Sequence, residues 1–226
     1  MSTRVIVTRP EREARQWVQA LVQRGLAAEA LPLIGIGAVG DQYALQRAWH
    51  GLADDHAVMF VSANAVEHFF AARPSGVAWG AVRAWATGPG TAEALSRAGV
   101  LPSSIDAPSA TAPRFDSEAL WALVAHAPLA GRRVLIVRGA DDAGRVAGRP
   151  WLAERLASVG ATVDQVVAYQ RCLPVWRDDD RVRARRAAHD GAIWLFSSSD
   201  ALRHLSLLLP DEGWQAARAV ATHVRI

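Results

Sequence analysis

Five short stretches of this chain gather hydroxyls, glycines and arginines: Thr8-Arg9, Ser62-Ala63-Asn64, Gly88-Pro89-Gly90-Thr91, Arg138-Gly139 and Ser197-Ser198-Ser199. Each follows a short apolar run, as the end of a strand does. In open α/β sheets ligands bind past the carboxyl ends of strands, where helix N-termini present free N–H groups. Such a rim suits carboxylates or phosphates, because a hydrogen bond to a charged group contributes about 1.5 to 3 kcal/mol. All 25 basic residues are arginine. That matches planar, bidentate anion recognition, and compositional bias explains it equally well. Simpler roles also exist. Ser62 and Ser198 have the composition of helix N-caps. Gly88-Pro89-Gly90 matches a dinucleotide fingerprint only in its first two glycines, since Glu93 stands where the third is expected, so nucleotide binding has little support. No GxxxxGK[ST], GxSxG or HExxH motif occurs. The single Cys172 excludes an internal disulfide and a cysteine metal cage, and the histidines lack ligand spacing; His68 and His204 read as helix-surface residues.

The elements that must position these stretches alternate between strand and helix. Val5 to Val7 reads as a strand, followed by a helix through Ala14, Trp17, Val18, Leu21 and Val22 up to Gly25. Ala28 to Ile34 reads as the next strand, and Gly35 to Asp41 as a glycine-rich crossing. Then come a helix through Leu45, Ala48 and Trp49, a strand at His56–Val61, a helix through Val66, Phe69 and Phe70, a strand at Val82–Ala86, a helix to Gly99 and another opening at Ser117-Glu118. Val134 to Val137 restarts the pattern, with a helix around Leu152–Val159 and a strand at Val163–Tyr169. Gln170 to Pro174 reads as a second crossing. The charged run Arg177–Arg186 reads as a solvated helix face, and a strand (192–196), a helix (201–209) and a strand (219–222) follow. This is an α/β protein with parallel sheets covered on both faces.

The second half of the chain repeats the first. Arg83-Ala84-Trp85-Ala86-Thr87 returns as Arg218-Ala219-Val220-Ala221-Thr222, Phe60-Val61-Ser62-Ala63-Asn64 as Phe196-Ser197-Ser198-Ser199-Asp200, and Arg4 to Arg9 as Arg133 to Arg138. A duplication longer than any solenoid repeat predicts two similar lobes, and a hydrophobic fraction of 51% supplies two cores. The longest apolar stretches fall short of the roughly 20 residues that span a bilayer, and the first residues lack a signal-peptide pattern. The expectation is a cytoplasmic protein without membrane or nucleic-acid partners, at a net charge of only +3.

Taken in order, Val7-Thr8-Arg9-Pro10, Leu31-Pro32-Leu33-Ile34, Phe60 to Val66, Gly88-Pro89-Gly90-Thr91-Ala92, Ser117-Glu118-Ala119-Leu120, Arg138-Gly139 with Gly144-Arg145, and Ala168-Tyr169-Gln170-Arg171 resemble the uroporphyrinogen-III synthase family over nearly the whole chain. The resemblance implies two flavodoxin-like parallel-sheet lobes joined by a two-stranded connector, with a ligand cleft between them. Lobe one would be 1–36 plus 174–226, and lobe two 38–171. It also implies a monomeric, cofactor-free, metal-free lyase that cyclises linear hydroxymethylbilane, a small molecule with eight carboxylates, to uroporphyrinogen III. Ring D is inverted through a spiro-pyrrolenine and water is lost, in tetrapyrrole (haem, sirohaem, cobalamin) biosynthesis. Carried over by position, Tyr169 assists departure of the hydroxyl. Thr8, Arg9, Ser62, Asn64, Gly88, Thr91, Arg138, Gly139, Arg145, Ser197 and Ser198 contact substrate. Family members continue past the counterpart of Thr222 with a helix, a strand and a closing helix, so lobe one is expected to lack elements and the activity of this chain is left open. The alternative is a non-catalytic bilobal protein that binds a tetrapyrrole or another polyanion.

Overall fold

The structure is a computed structural model that describes residues 4–146, 148–223 and 226. Along the chain, β1 (Arg4–Val7) leads through Pro10 into α1 (Glu11–Gln23). Two glutamates in the first turn of α1 favour its positive end. Gly25, at a φ of 79° open to glycine at little cost, turns the chain toward β2 (Ala27–Ala30). There follow β3 (Gly35–Ala38), α2 (Tyr43–His50), β4 (Ala57–Phe60), α3 (Ala63–Ala71), β5 (Arg83–Ala86), α4 (Pro89–Arg97), β6 (Ile105–Asp106) and α5 (Ser117–Val124). The chain continues with β7 (Arg133–Ala140), α6 (Trp151–Ser158), β8 (Thr162–Cys172), α7 (Asp178–His189), β9 (Ile193–Phe196), α8 (Ser199–Leu208) and β10 (Arg218–Ala221).

The chain divides into two compact units: Met1–Ile36 with Arg171–Ile226, and Gly37–Gln170. In the first, a four-stranded sheet runs in the order β10-β9-β1-β2, all parallel. Its core gathers Ile6, Leu31, Leu33, Trp194, Phe196 and Leu205, with the alanines of α7 against them. The second unit is built on a sheet of order β3-β8-β7-β4-β5-β6, in which the β8-β7-β4-β5-β6 pairings are parallel. One of its cores gathers Met59, Trp85, Leu120, Ile136, Leu152 and Leu156. A second aromatic group stacks Trp49 on Phe69 and Trp79 on Phe70. β4 and all of β7 after its first residue are buried, as expected of strands covered on both faces.

Several elements differ from the sequence reading, each for its own physical reason. The strand predicted over Ala28–Ile34 stops at Ala30: Pro32 has no N–H to donate, and Leu31–Ile34 instead follows the end of β1 through Leu31 N–H to Val7 O and Leu33 N–H to Thr8 O. The predicted crossing Gly35–Asp41 begins as β3, and Gly35 is needed there, since a Cβ would stand 2.8 Å from Cys172 Sγ. The two-residue β6 gives no periodicity to read. His204, expected on a helix surface, is 1% exposed, and its Nδ1 is 2.6 Å from the Leu33 carbonyl. It ties α8 to the segment after β2. β10 is exposed along its whole length, whereas its repeat partner β5 is buried from Ala84 onward by α4 and flanked by β6.

Candidate functional site

In the second unit the adjacent strands β8, β7, β4 and β5 end side by side and form one rim. The rim is laced together by its own loops. Val61 N–H donates to Val137 O and the Thr87 hydroxyl to Val61 O. Ser62, in extended conformation at the end of β4, caps α3 by accepting from Ala65 N–H at 3.2 Å. A hydroxyl at that position satisfies one of the free N–H groups of the first turn.

Tyr169 stands on this rim near the end of β8. It is 4% exposed, and its hydroxyl lies 3.2 Å from Ser62 Oγ, with either oxygen able to donate. Between Arg138 and Gly139 the β7–β8 register shifts, so that Arg138 stands opposite Val167 and Gly139 opposite Tyr169. This bulge re-aims the tyrosine, a known use of such irregularities. The Tyr169 ring then fills the space that a Cβ on Gly139 would occupy. Gly139 is thus a bed for the phenol. His68, half-buried on α3, approaches the same ring with centroids 5.9 Å apart at 33°. Burial pushes its imidazole below the ordinary value, Glu67 acting in the opposite sense.

Arg138 is buried in β7 and donates through Nη1 to Gln165 Oε1 at 2.8 Å. Burial lowers its pKa and the field of Tyr169 raises it, yet a guanidinium keeps its proton. Asn64 and Thr91 are both buried, in α3 and α4. Gly88 caps α4 with an extended φ of −178°, which any residue adopts, so its requirement is steric: a Cβ would meet Phe115 Cβ at 2.9 Å. Arg145 sits on the loop after β7, where Asp141 accepts from both its backbone N–H and its Nε. That loop is moored next to Tyr169, because Gln170 Nε2 donates to Asp142 O at 2.9 Å. Hence Ser62 and Gly139 each meet Tyr169, with Arg138 next to Gly139 in β7, while Arg145 is largely exposed and engaged with Asp141.

In the first unit, Thr8 ends β1 with 0% exposure and donates its hydroxyl to Leu195 O at 2.8 Å. It stitches β1 to β9 and presents no side-chain surface to a ligand in this conformation, which sets it apart from the other candidates. Arg9 reaches Glu13 at 3.2 Å and lies over the Trp17 ring. Ser198 caps α8 by accepting from Asp200 N–H, and Ser197 precedes it, half-buried.

Of three further residues that shape the second unit's rim, Phe115 was not singled out in the sequence, His68 was read as a helix-surface residue and is half-buried, and Gln170 was read only as part of a motif and a crossing. Phe115, His68 and Gln170 act through contacts across elements, and no local spacing marks them. At the opposite, N-terminal end of the same strands a cavity of about 810 Å³ is lined by Trp49, Asp55, His56, Trp79, Arg83 and Arg133 among others. It lies away from the strand ends where open α/β sheets bind ligands. Among the described residues, no group of three His, Cys, Asp or Glu is placed to hold a metal ion, and no helix is long and apolar enough to cross a membrane.

Residues 15–226 match the family model for uroporphyrinogen-III synthase HemD. A uroporphyrinogen-III synthase of Synechococcus elongatus is 30% identical over 91% of this chain and 74% of its own length. One from Chlorobaculum parvum is 28% identical over 79% and 68%. Among solved structures, a mutant uroporphyrinogen III synthase of Thermus thermophilus superposes with a TM-score of 0.56 at 18% identity, covering 97% of this chain and 84% of that one. A uroporphyrinogen-III synthetase of Helicobacter pylori gives 0.56 at 15% identity, covering 98% and 84%. These two likenesses support the α/β fold with parallel sheets, and the match along nearly all of the sequence places this chain in the uroporphyrinogen-III synthase family of lyases.

Proposed function

We propose that this chain cyclises linear hydroxymethylbilane to uroporphyrinogen III, with inversion of ring D and loss of water, as a step of tetrapyrrole biosynthesis. The observation that carries the assignment of the chemistry is the Ser62–Tyr169 hydroxyl pair, held at the strand ends over Gly139. Tyr169 donates a hydrogen bond to the departing hydroxyl. The C–O bond breaks with its electron pair on oxygen, which takes the Tyr169 proton as it goes, so that water leaves and an azafulvene cation remains beside the phenolate, which recovers its proton when the terminal proton is lost. The substituted carbon of ring D attacks the exocyclic methylene to give a spiro-pyrrolenine, which fragments and recloses with ring D inverted. A terminal proton is then lost and aromaticity restored. No cofactor is needed, because no electrons are exchanged with an outside group.

The protein's main contribution in this reading is geometric. Unassisted closure gives the uninverted isomer, so the flexible chain must be held in one reactive conformer, an effect with a ceiling of about 7 to 11 kcal/mol. Carboxylate contacts are assigned on the second unit's rim to Ser62, Asn64, the α4 start at Gly88 and Thr91, Arg138 and Arg145. On the first unit's rim they are assigned to Arg9, Ser197 and Ser198. The α3 and α4 N-termini add dipoles that favour anions. The test is incubation with enzymatically generated hydroxymethylbilane and separation of the product isomers. Type III product is expected. Type I alone would overturn the reading, and tight binding without type III product would favour the non-catalytic alternative.

A further inference from the structure

His68 on α3 and Tyr169 on β8 approach each other across two elements, their ring centroids 5.9 Å apart. Ser62 starts α3, and His68 lies farther along the same helix, so a single helix touches the phenol twice: at its hydroxyl through Ser62 and at its ring through His68. Gly139 supplies the third restraint from β7. We propose that His68 is a positioning residue for Tyr169, its uncharged ring holding the phenol against Gly139 and Ser62. This rests on the reading of Tyr169 as the hydroxyl that assists water loss.

The physical argument turns on the state of the imidazole. An uncharged ring half-buried against an aromatic face is an ordinary apolar contact, whereas a protonated one must recover hydration. Protonation therefore draws His68 away from the ring and loosens one of three restraints. The groups around it are few. Glu67, its neighbour on α3, favours the proton. On β8 the facing group is Tyr169, and on β7 the nearby charge is Arg138, which donates to Gln165. On α4, which packs against α3, Glu93 and Arg97 are exposed and paired with each other at 2.7 Å. Burial dominates, so the uncharged form persists below pH 6.5 and gives way on further acidification.

The chain has only two tyrosines, Tyr43 and Tyr169. In a Tyr43→Phe background with labelled tyrosine, the NMR resonances of the Tyr169 ring report on this contact without any turnover. The expected result is a shift with an inflection below pH 6.5 that disappears in His68→Phe. Ring signals that ignore pH, or that titrate unchanged in His68→Phe, would overturn the proposal. Kinetics supply a second readout. His68→Ala should lower kcat on the order of ten-fold with KM unchanged, as misplacing a reacting group does; His68→Phe should keep neutral-pH kcat and lose the acid limb of the rate profile. An acid limb identical to the parent's counts against the role. If Tyr169→Phe turns over normally, the catalytic reading of Tyr169 fails, and the NMR titration still decides the placement of His68.

Discussion

A phenol 4% exposed and lying on a glycine is constrained by shape as much as by bonding. Removing its oxygen by Tyr169→Phe leaves the ring against Gly139 and deletes one of two partners of the Ser62 hydroxyl, which still accepts from Ala65 N–H. The fold should survive with a loss of about 1 kcal/mol, the usual net value of one hydrogen bond, while turnover falls by a factor within the roughly 10²–10⁴ range for a general acid. Unchanged turnover in an isomer assay would reduce Tyr169 to a packing residue. Gly139→Ala asks the complementary question. Its Cβ collides with the ring, so the phenol must move, at a cost of about 1 to 3 kcal/mol for overpacking. We expect lower denaturant stability together with lower turnover; a stable, fully active Gly139→Ala would mean that the ring position is unimportant. The identity of Tyr169 was legible from the resemblance in Ala168-Tyr169-Gln170-Arg171, but its environment was not. The bulge that sets Gly139 opposite it is a property of two paired strands, which neither strand's pattern contains. Thr8 shows the same limit: its place at a strand end was readable, and its commitment to Leu195 was not.

Helix starts are where the sequence spoke most clearly. Ser62 and Ser198 cap α3 and α8, as hydroxyls before an apolar periodic run should. The reading of α4 needed tertiary contact. Gly88 and Gly90 look interchangeable in Gly88-Pro89-Gly90, yet Phe115 fills the space beside one and nothing stands within 4 Å of the other. Alanine at Gly90, inside the first turn, should stabilise by roughly 0.5 to 1 kcal/mol through helix propensity. Alanine at Gly88 should destabilise by about 1 to 3 kcal/mol, and Phe115→Gly should rescue it, since it removes the Cβ that would stand 2.9 Å away together with the ring. Thermal melts of the three variants check this, and equal effects at the two glycines would refute the packing account. The contrast also changes how an acidic substitution at Gly88 is to be interpreted. A loss of substrate affinity in Gly88→Asp would mix charge repulsion with displacement of Phe115. Gly90→Asp isolates the electrostatic part. Elements that were missed or misjudged have separate causes. β6 is too short to show a period, and β2 stops early because Pro32 intervenes. His204 is buried by a carbonyl far away in sequence.

At the scale of the whole chain, the duplication visible in the sequence reappears as two sheets with matching order, β2-β1-β9-β10 and β8-β7-β4-β5. The repeat extends to the charges at the strand starts, where Arg4 meets Asp190 and Glu29 and Arg133 meets Asp55 and Asp164. Asp55, just before β4 and away from the rim, has a nearly inaccessible side chain. Its Oδ1 lies 3.3 Å from Arg133 Nε, and neither atom makes a hydrogen bond. Burial raises its pKa to about 6, with Arg133 acting against the rise. A carboxyl whose folded pKa lies above its unfolded value contributes stability that is present below about pH 4 and lost as pH rises through 6. His56 and His68 act in the other direction. Burial lowers both, so their contribution is complete above pH 6.5 and declines on acidification. Asp55→Asn keeps the protonated shape at every pH and removes only the first slope. Its stability should match the parent's near pH 4 and exceed it by up to about 3 kcal/mol near pH 7, the worth of a shift of this size. Urea melts at several pH values measure the difference, and a gap that stays constant from pH 4 to 7 would show that Asp55 is ionised in the fold throughout. Because Asp55 lies at the N-terminal end of the strands and Tyr169 at their carboxyl end, this gain should leave the isomer ratio of the product unchanged.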